Sequence, residues 1–505
     1  MNNPKLSGLL LRLPAGAAAT FSGVAEKSLR AAGVAFEIKP LFKTSGVGRT
    51  ANQIGVTSGD DWEWHIARPK VSVDGASPWE VAHAAVANRL GLSAETEMFV
   101  EPDLEQEWIY ENPVARDAMA AAADACVFND QIGKLPGLPG HFAWHLSSDF
   151  SQLKTARDVV GDNPNGQAIR IVHLDTGYYA DHKAFPKNVR LDLQRNFMDD
   201  QAGNDAHDPS ARGVLKNPGH GTGTLAILAG NRFAFSGAGY TPFNDYIGGA
   251  PAAEIVPVRV GKSVVQILTS SIAAGISYAA DLCNKESSRV HAMSMSMGGV
   301  ASQAWADAVN KAYDAGILYV AAAGNNFSSG LFGVPTRLIV YPARFRRVIA
   351  ACGIMENLQP YYGLPFGVMQ GNWGPDSKMA TAMAAFTPNM PWAELGCAGI
   401  VDMDGQGTSA ATPQIAAAAA LYLQKHAQEI FDLANYPEPW MRVEAVRHAY
   451  LLVRTSWLTE AARRSSATEF FKLLARSQAR RLIRESCKRC HKTALHFPFC
   501  MRSRV

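Results

Sequence analysis

Residues 404–413 read Asp404-Gly405-Gln406-Gly407-Thr408-Ser409-Ala410-Ala411-Thr412-Pro413, and the almost wholly apolar run Ile415–Leu423 follows them. The glycines permit a tight turn and Pro413 is tolerated in the first turn of a helix, so the pattern predicts a buried helix that starts near Ser409. A hydroxyl at a helix N-terminus lies where free amides and the helix dipole favour negative charge, as on an acyl-enzyme oxyanion. Taken alone, however, an ordinary N-cap explains Ser409 better than a catalytic role does.

Two further motifs supply the partners that a nucleophilic serine needs. The apolar run Ala168–Leu174 predicts a buried parallel strand, and Asp175 follows at its end. His220 stands between two glycines at the predicted start of another helix, ahead of the apolar run Leu225–Ala229. A serine needs a base to take its proton, and the base needs a carboxylate to fix its tautomer. Asp175, His220 and Ser409 therefore form a chemically complete set.

These stretches together resemble the subtilisin-like serine proteases, the subtilase family. The resemblance is carried by the three motifs, in the order Asp, His, Ser, and it runs from Ile171 to about Met441. Four further segments resemble the family's strand after the histidine helix, its substrate-binding strand, its oxyanion element and its next core strand: Gly249–Val260, Met293–Gly299, Ala321–Asn325 and Tyr341–Ala350. Each segment is a weak signal alone, but the joint match in the family's order is highly specific.

The resemblance implies a serine endopeptidase that acts on protein or peptide substrates. It assigns Ser409 as the nucleophile, His220 as general base and acid, and Asp175 as the carboxylate that orients the imidazole. It assigns Asn325 to the oxyanion, where one donor typically contributes about 3–4 kcal/mol. It also implies a substrate-binding set, from which we predict an apolar residue before the scissile bond: Ser296, Met297, Gly298, Ala323 and Gly324.

Two alternatives belong to other functional classes. A binding or scaffold protein could keep the same fold with a basic tail as anchor, but it need not keep the triad and the oxyanion asparagine together. A sedolisin-like acid protease shares the serine motif but uses Glu as base and Asp at the oxyanion. His220 and Asn325 argue against that class.

Short apolar runs alternate with helical stretches throughout the family-like region. Strands are predicted at 255–260, 290–296, 318–322 and 348–351, and helices at 220–229, 268–282 and 301–315. Such alternation predicts an α/β fold with a mostly parallel sheet and helices on both faces. The resemblance implies that this sheet is subtilisin-like. Functional groups then gather at the carboxyl ends of the strands, where Asp175 and Asn325 fall. Residues 232–247 and 327–338 are predicted to be surface loops.

The N-terminal part carries a doubled strand-helix-strand pattern. Strands are predicted at 8–13, 34–41, 62–67 and 97–101, and helices at 24–32 and 78–90. Ser77 and Glu80 form a capping box around Pro78 at the first helical position. The plan predicts a small α+β ferredoxin-like domain. In subtilases a domain of this kind is commonly an inhibitory prodomain, and a permanent accessory domain that is never cleaved has equal weight.

We therefore predict a prodomain-like unit at 1–112, a Pro/Gly-rich linker at 113–140, a catalytic domain at 141–455 and a basic extension at 456–505. Self-cleavage, if it occurs, is expected in the linker. The 505-residue chain has a net charge of +3, but residues 441–505 hold 15 Lys/Arg and 4 Asp/Glu, which leaves residues 1–440 acidic. Nucleic acid or an anionic membrane surface could bind such a tail. A solvated extension is favoured, so no nucleic-acid partner is expected.

The N-terminus offers no secretory signal that we recognise. Arg12 and Pro14 interrupt its apolar core, and no apolar run of the length of a membrane span occurs elsewhere. Seven cysteines, an odd and scattered number, do not indicate a disulfide framework. These features predict a cytoplasmic protein without a membrane span, and the sequence carries no signal for an oligomeric state.

No metal or cofactor is expected. One acidic loop offers oxygen ligands for Ca²⁺, but its spacing matches no known calcium loop and a solvated loop is favoured: Asp199, Asp200, Asn204, Asp205 and Asp208. Cys487-Lys488-Arg489-Cys490-His491 has the form of a c-type haem attachment site. The same residues could hold zinc together with His496 or Cys500. Neither group is favoured.

Overall fold

The computed structural model of the chain describes residues 5–15, 29–31, 34–44, 62–70, 77–87, 97–107, 126–128, 141–161, 168–198, 203–209, 219–237, 239–264, 266–327, 338–361 and 369–450. The predicted linker lies almost wholly outside these residues. So do Asp199, Asp200, the segment 328–337 and the basic tail from residue 451. The predictions for them stay predictions.

The N-terminal part forms an antiparallel sheet covered by a helix. Its strands are β1 (Lys5–Pro14), β2 (Leu29–Ala31), β3 (Val34–Lys43), β4 (Trp62–Pro69) and β5 (Phe99–Glu107), and its helix is α1 (Pro78–Ala87). The order β5-β1-β4-β3 is that of a ferredoxin-like domain, as predicted. The small side chains Val81, Ala82 and Ala85 of α1 pack against the leucines of β1.

The first predicted helix, 24–32, is wrong in its last turn. Leu29–Ala31 pairs with β3 as an antiparallel hairpin, so these residues are strand, and residues 24–28 lie outside the described part. Periodicity alone could not separate a short helix end from a strand end here, because the pairing with β3 is a tertiary contact. The last strand is longer than predicted, since β5 continues past Glu101 to Glu107.

The larger part is built on a seven-stranded parallel sheet, which confirms the predicted α/β class. Its strands are β6 (Arg170–Asp175), β7 (Arg195–Asn196), β10 (Glu254–Arg259), β13 (Ala292–Met295), β14 (Leu318–Ala322), β16 (Val348–Ile354) and β18 (Ala382–Phe386). Their order in the sheet is β18-β16-β14-β13-β6-β10-β7. Nearly every residue of β6, β10, β13, β14 and β16 is buried, as a sheet with two covered faces requires.

Helices cover both faces of this sheet. The first helix of the larger part, α2 (Leu153–Val160), packs beside α3 (His220–Ala229) on one face, and α4 (Thr269–Leu282) and α5 (Gln303–Asp314) lie on the other. The remaining helices are α6 (Asp376–Met379), α7 (Gly407–Lys425), α8 (Ala427–Ile430) and residues 439–450. Helix α7 shares its face with α3. It begins at Gly407, so Pro413 lies in its second turn and not in the first as predicted.

Four pairs of short antiparallel strands complete the described part of the larger unit. They are β8 (Arg232–Gly237) with β9 (Tyr240–Tyr246), β11 (Gly261–Ser263) with β12 (Gln266–Leu268), β15 (Asn325–Phe327) with β17 (Met369–Gly371), and β19 (Met390–Ala393) with β20 (Val401–Gly405). The prediction of a surface loop at 232–247 is therefore wrong. Phe233, Phe235 and Phe243 of that segment stack on Phe142, and this aromatic contact holds the hairpin against the domain.

The two parts contact each other along one sheet edge and at the starts of two helices. β5 pairs with β12, so the N-terminal sheet continues into the larger part. The Glu101 carboxylate accepts hydrogen bonds from Ser302 Oγ (2.8 Å) and from backbone amides of the first turn of α5. The Asp103 carboxylate accepts from Ser270 N and Ser270 Oγ, both at 2.8 Å, in the first turn of α4. The N-terminal part thus caps two helices of its neighbour.

Candidate active site

Ser409 lies in the first turn of α7, and the residues around this turn require a glycine at its start. Gly407 has φ +76°, and a Cβ there would approach the Asn325 amide nitrogen to 2.8 Å, so only glycine fits. Ser409 Oγ donates to the Ser296 carbonyl at 3.0 Å, and Ser296 Oγ donates back to the Ser409 carbonyl at 2.9 Å. The two bonds join the start of α7 to the end of β13.

Asp175 and His220 meet as the sequence predicts. Asp175 ends β6, His220 begins α3, and His220 Nδ1 lies 2.8 Å from Asp175 Oδ1. A Cβ at Gly221 would come within 2.1 Å of the Gly177 carbonyl oxygen. Glycine at 221 therefore lets the helix start approach the loop that follows β6, and that approach brings the imidazole to the carboxylate.

The carboxylate of Asp175 remains an anion in spite of its burial. It is 1% exposed, and burial by itself would raise its pKa. The neighbouring His220 and hydrogen bonds from His220 and from the Thr176 amide (2.8 Å) outweigh burial and lower the pKa of Asp175. An ionised carboxylate at this position fixes the proton on His220 Nδ1 and leaves Nε2 to act as a base.

Ser409 and His220 are not hydrogen-bonded to each other in the described part of the chain. The hydroxyl donates to Ser296 instead. A turn of the Ser409 side chain about χ1 would release that bond. Catalytic hydrogen bonds are often loose without substrate and tighten when it binds, so this geometry does not argue against the pair.

Asn325 presents a free donor beside the serine turn. Its Oδ1 accepts from Thr408 N at 2.9 Å and lies 3.2 Å from Thr408 Oγ1. These two contacts at Oδ1 fix the orientation of the amide. Among the described residues none accepts a hydrogen bond from Nδ2, which leaves this N–H for a ligand.

The five predicted substrate-binding residues lie around this centre. Ser296 contacts Ser409 directly, and Gly324 N donates to Thr408 Oγ1 at 3.1 Å. Met297 is buried beside Gly261, and Gly298 packs against the Tyr341 carbonyl, where a Cβ would come within 2.6 Å. Ala323 is fully buried, with its backbone paired to Ala351 and Val340. The roles of these five residues in substrate recognition stay predictions.

Sequence reasoning missed several buried groups that surround the Asp175–His220 pair. Asp208, weighed as a calcium ligand, is buried, and its Oδ2 accepts from Gly219 N (3.1 Å) and Thr176 Oγ1 (3.3 Å). Behind Asp175 lie His173 and Thr224, both buried. Trp392 of the β19–β20 hairpin stacks edge-on against His220, with ring centroids 5.4 Å apart. The period-two pattern of β6 could have indicated that His173 shares a face with Asp175.

A cluster of carboxylates on the β19–β20 hairpin could hold a cation. Ligand oxygens of Glu394, Asp402 and Asp404 all lie within 4.8 Å of one another. Burial, with the charges of Glu394 and Asp402, raises the pKa of Asp404. The cluster is separate from the acidic loop that the sequence suggested. Of that loop, Asp205 binds His207 at 2.6 Å and Asp208 supports the helix start.

One disulfide corrects the prediction drawn from the cysteine count. Cys126 and Cys397 are bonded, with Cα atoms 5.5 Å apart, and the bond ties the segment before the larger part to the β19–β20 hairpin. Spacing could not reveal it, because the two residues are 271 positions apart. Cys283 and Cys352 are buried free thiols. A disulfide is typical of proteins from oxidising compartments.

Comparison with known proteins finds a family model that covers most of the larger part of the chain. A family described as "Subtilase family" matches residues 166–471, more than half of the chain. "Subtilisin-like protease 4" of Trichophyton equinum is 31% identical over 204 residues, 40% of this chain and 45% of that protein. "Subtilisin-like protease 3" of Arthroderma benhamiae is 30% identical over 204 residues, 40% of this chain and 44% of that protein. The match therefore spans less than half the length of these curated relatives.

Among solved structures, the chain is similar to "Sphericase" with 21% identity and a TM-score of 0.38, over 54% of this chain and 84% of that one. The prediction of a cytoplasmic location is wrong: the subtilisin-like proteases that the chain is similar to point to an extracellular location instead. That prediction relied on the N-terminal apolar run, which Arg12 and Pro14 interrupt. In the described part of the chain, no helix has both the length and the apolar character needed to cross a membrane.

Proposed function

The chain belongs to the subtilase family, and from this premise we propose that it is a serine endopeptidase that hydrolyses peptide bonds through an acyl-enzyme on Ser409. The observation that carries the proposal is the 2.8 Å contact between His220 Nδ1 and Asp175 Oδ1, because the helix α3 that bears His220 packs in one core cluster with the helix α7 that bears Ser409. The proposed chemistry needs no cofactor. Protein or peptide substrates follow from the same reaction.

Ser409 Oγ attacks the substrate carbonyl while His220 Nε2 takes its proton, and the same proton passes to the leaving amine. Asp175 holds the imidazole and stabilises the imidazolium that forms. Water then attacks the acyl-enzyme by the reverse sequence of proton transfers. Because Asp175 and His220 are buried, each of these electrostatic interactions is stronger than the same interaction would be in water.

The oxyanion would be held by Asn325 Nδ2 and by the backbone N–H of Ser409 at the start of α7. Fixation of the Asn325 amide by Thr408 supports this role, because the donor is oriented before substrate arrives. Removal of one such donor typically costs about 10²–10³ in kcat. The helix dipole of α7 adds to the same stabilisation.

We also propose that the N-terminal domain inhibits the enzyme until the linker is cut. β5 pairs with β12, and Gln106 Oε1 accepts from Val300 N at 2.9 Å, next to the predicted substrate strand Met293–Gly299. A polypeptide segment held beside that strand would compete with a substrate that binds there by strand addition. Cleavage within residues 113–140 would release it.

The test is labelling with a fluorophosphonate probe, which reacts with an activated serine, on the wild-type chain and on Ser409→Ala. Intact mass is recorded before and after incubation. Labelling of the wild type alone, with loss of mass from the N-terminal side, is the expected result. Labelling without mass loss would leave the protease proposal standing and remove self-cleavage. Absence of labelling in folded protein, even after removal of residues 1–140, would overturn the protease proposal.

Specificity for an apolar residue before the scissile bond is a further part of the proposal. It is supported by Ala323 and Gly324, which put no charged group at the end of β14. Cleavage of a peptide library by the wild type, sorted by the residue before the cut, should show enrichment of apolar side chains. An even distribution would overturn it.

A further inference from the structure

The second oxygen of the catalytic carboxylate has its own buried donor. Asp175 Oδ1 is occupied by His220 Nδ1 and Thr176 N, whereas Oδ2 lies 3.1 Å from Thr224 Oγ1. Thr224 sits one helical turn after His220 in α3 and is fully buried. The same helix therefore supplies both the imidazole and a hydroxyl to one carboxylate.

Behind the hydroxyl lies a second imidazole. His173 Nε2 is 2.9 Å from Thr224 Oγ1 and 3.9 Å from Asp175 Oδ2. His173 belongs to β6, two residues before Asp175, so both side chains are on the same face of the strand. Burial lowers the pKa of His173 to about 4, although Asp175 raises it, so the ring is neutral near neutral pH.

Hydrogen-bond counting favours one direction for this chain of contacts. A hydroxyl has one proton, and Thr224 can give it to Asp175 Oδ2, to an unprotonated His173 Nε2, or to the backbone carbonyls of His220 (3.2 Å) and Gly221 (3.3 Å). A buried carboxylate oxygen without a donor is costly, whereas those helix carbonyls already belong to the backbone hydrogen-bond ladder. Donation to Asp175 is therefore favoured, and His173 Nε2 must then carry the proton that Thr224 accepts.

On the basis of the proposed protease activity, we propose that His173 and Thr224 are positioning residues, a relay in which His173 donates to Thr224 and Thr224 donates to Asp175. The relay holds the Asp175 carboxylate in the orientation that His220 requires. It touches neither the substrate nor the reacting atoms. Its contribution is to the geometry of the Asp175–His220 pair during proton transfer.

Kinetics of variants test the relay. Thr224→Val keeps the shape and removes the hydroxyl, and His173→Leu removes the first donor. Both should lower kcat about 10- to 100-fold with KM within a factor of two, because misplacement of a catalytic group affects the chemical step. Thr224→Ser should restore most of kcat. The double variant should be no slower than Thr224→Val, since both residues act through one bond.

Thr387→Val is the matched control, because it makes the same change at a buried threonine outside the site. Thr387 is fully buried just after β18, and its hydroxyl has no hydrogen-bond partner among the described residues. It should leave kcat unchanged. Thermal melting of all variants separates loss of folding from loss of rate. Additive losses in the double variant, equal losses in Thr387→Val, or a slow Thr224→Ser would overturn the relay while wild-type activity upheld the protease proposal.

A second measurement does not depend on activity. Nitrogen NMR of histidine-labelled Ser409→Ala protein at neutral pH reports which ring nitrogen of His173 bears the proton, with His173→Leu to assign the signal. The relay requires protonation at Nε2. Protonation at Nδ1 alone would overturn it, whatever the outcome of the kinetic experiments.

Discussion

Two buried carboxylates, one in each part of the molecule, carry opposite pKa shifts. Asp175 is 1% exposed and its pKa is lowered, whereas Asp103 is 0% exposed and burial raises its pKa to about 6. Both lie beside the start of a helix and both accept hydrogen bonds. The difference lies in the partners. Asp175 faces an imidazole that can carry a positive charge, but the near partners of Asp103 are the neutral donors of Ser270.

The two buried acids therefore respond differently to pH. At Asp103, burial outweighs the hydrogen bonds from Ser270 and the charge of Arg68, whereas at Asp175 the interactions with His220, His173 and the Thr176 amide outweigh burial. The Asp175 carboxylate therefore stays ionised over a wide pH range. The interface between the N-terminal domain and the larger part changes its charge near pH 6, and burial also raises the pKa of its second carboxyl, Glu101.

The largest effect is expected from Asp175→Asn. The amide cannot hold His220 in the required tautomer, and we expect kcat to fall by about 10⁴. Steady-state kinetics on a peptide substrate measures it. Asp103→Asn, assayed after the same incubation as the wild type, is the control and should keep kcat, because Asp103 lies at the interface and not at the active site. A loss below tenfold for Asp175→Asn would mean that its charge does not serve catalysis.

Asp103→Asn should change how stability depends on pH. The folded pKa of about 6 lies above the ordinary value of 3.8, so the protonated form favours the folded state. Its stabilisation is complete below pH 3.8 and is lost as the pH rises to 6, about 3 kcal/mol in all. Urea unfolding of Ser409→Ala with and without Asp103→Asn, at pH 4, 5 and 6, should show this difference. Parallel pH curves would refute the raised pKa.

Glu101→Ala should weaken the interface at every pH. The substitution leaves Ser302 Oγ and two amides of α5 without their acceptor, and each unpaired buried donor typically costs about 1–3 kcal/mol. Water entry would offset part of this, so we expect a loss of about 2 kcal/mol in the free energy of unfolding. Glu101→Gln keeps one acceptor oxygen and should lose less. Equal losses would show that packing, and not hydrogen bonding, holds this contact.

Trp64→Phe should have the smallest effect. Trp64 Nε1 donates to Asp307 Oδ2 at 2.9 Å across the interface, and Arg12 still pairs with Asp307 at 3.0 Å when the indole is removed. We expect a loss of about 1 kcal/mol in the free energy of unfolding. Chemical unfolding of Ser409→Ala measures it. A loss as large as that of Glu101→Ala would mean that Asp307 depends on the indole more than on Arg12.

Much of the fold follows from the sequence because its signals are local. Apolar runs bounded by glycine predicted the core strands of the parallel sheet, and the His220 helix has the bounds that its pattern indicated. Failures occurred where a distant partner decides the conformation. Leu29–Ala31 became strand by pairing with β3, and the 232–247 segment became a hairpin by stacking on Phe142.

The sequence by itself determined the chemical groups and the elements that carry them: a carboxylate at the end of a strand, and an imidazole and a hydroxyl at the starts of helices. Each of these depends on neighbours within a few positions, and the family's order of motifs connects them. Tertiary structure alone decided what surrounds those groups. His173 and Thr224 are 51 residues apart, and Asp103 and Ser270 are 167 apart. Hydrogen bonds and pKa shifts depend on distances between atoms, and only the folded chain brings such residues within 3 Å of each other.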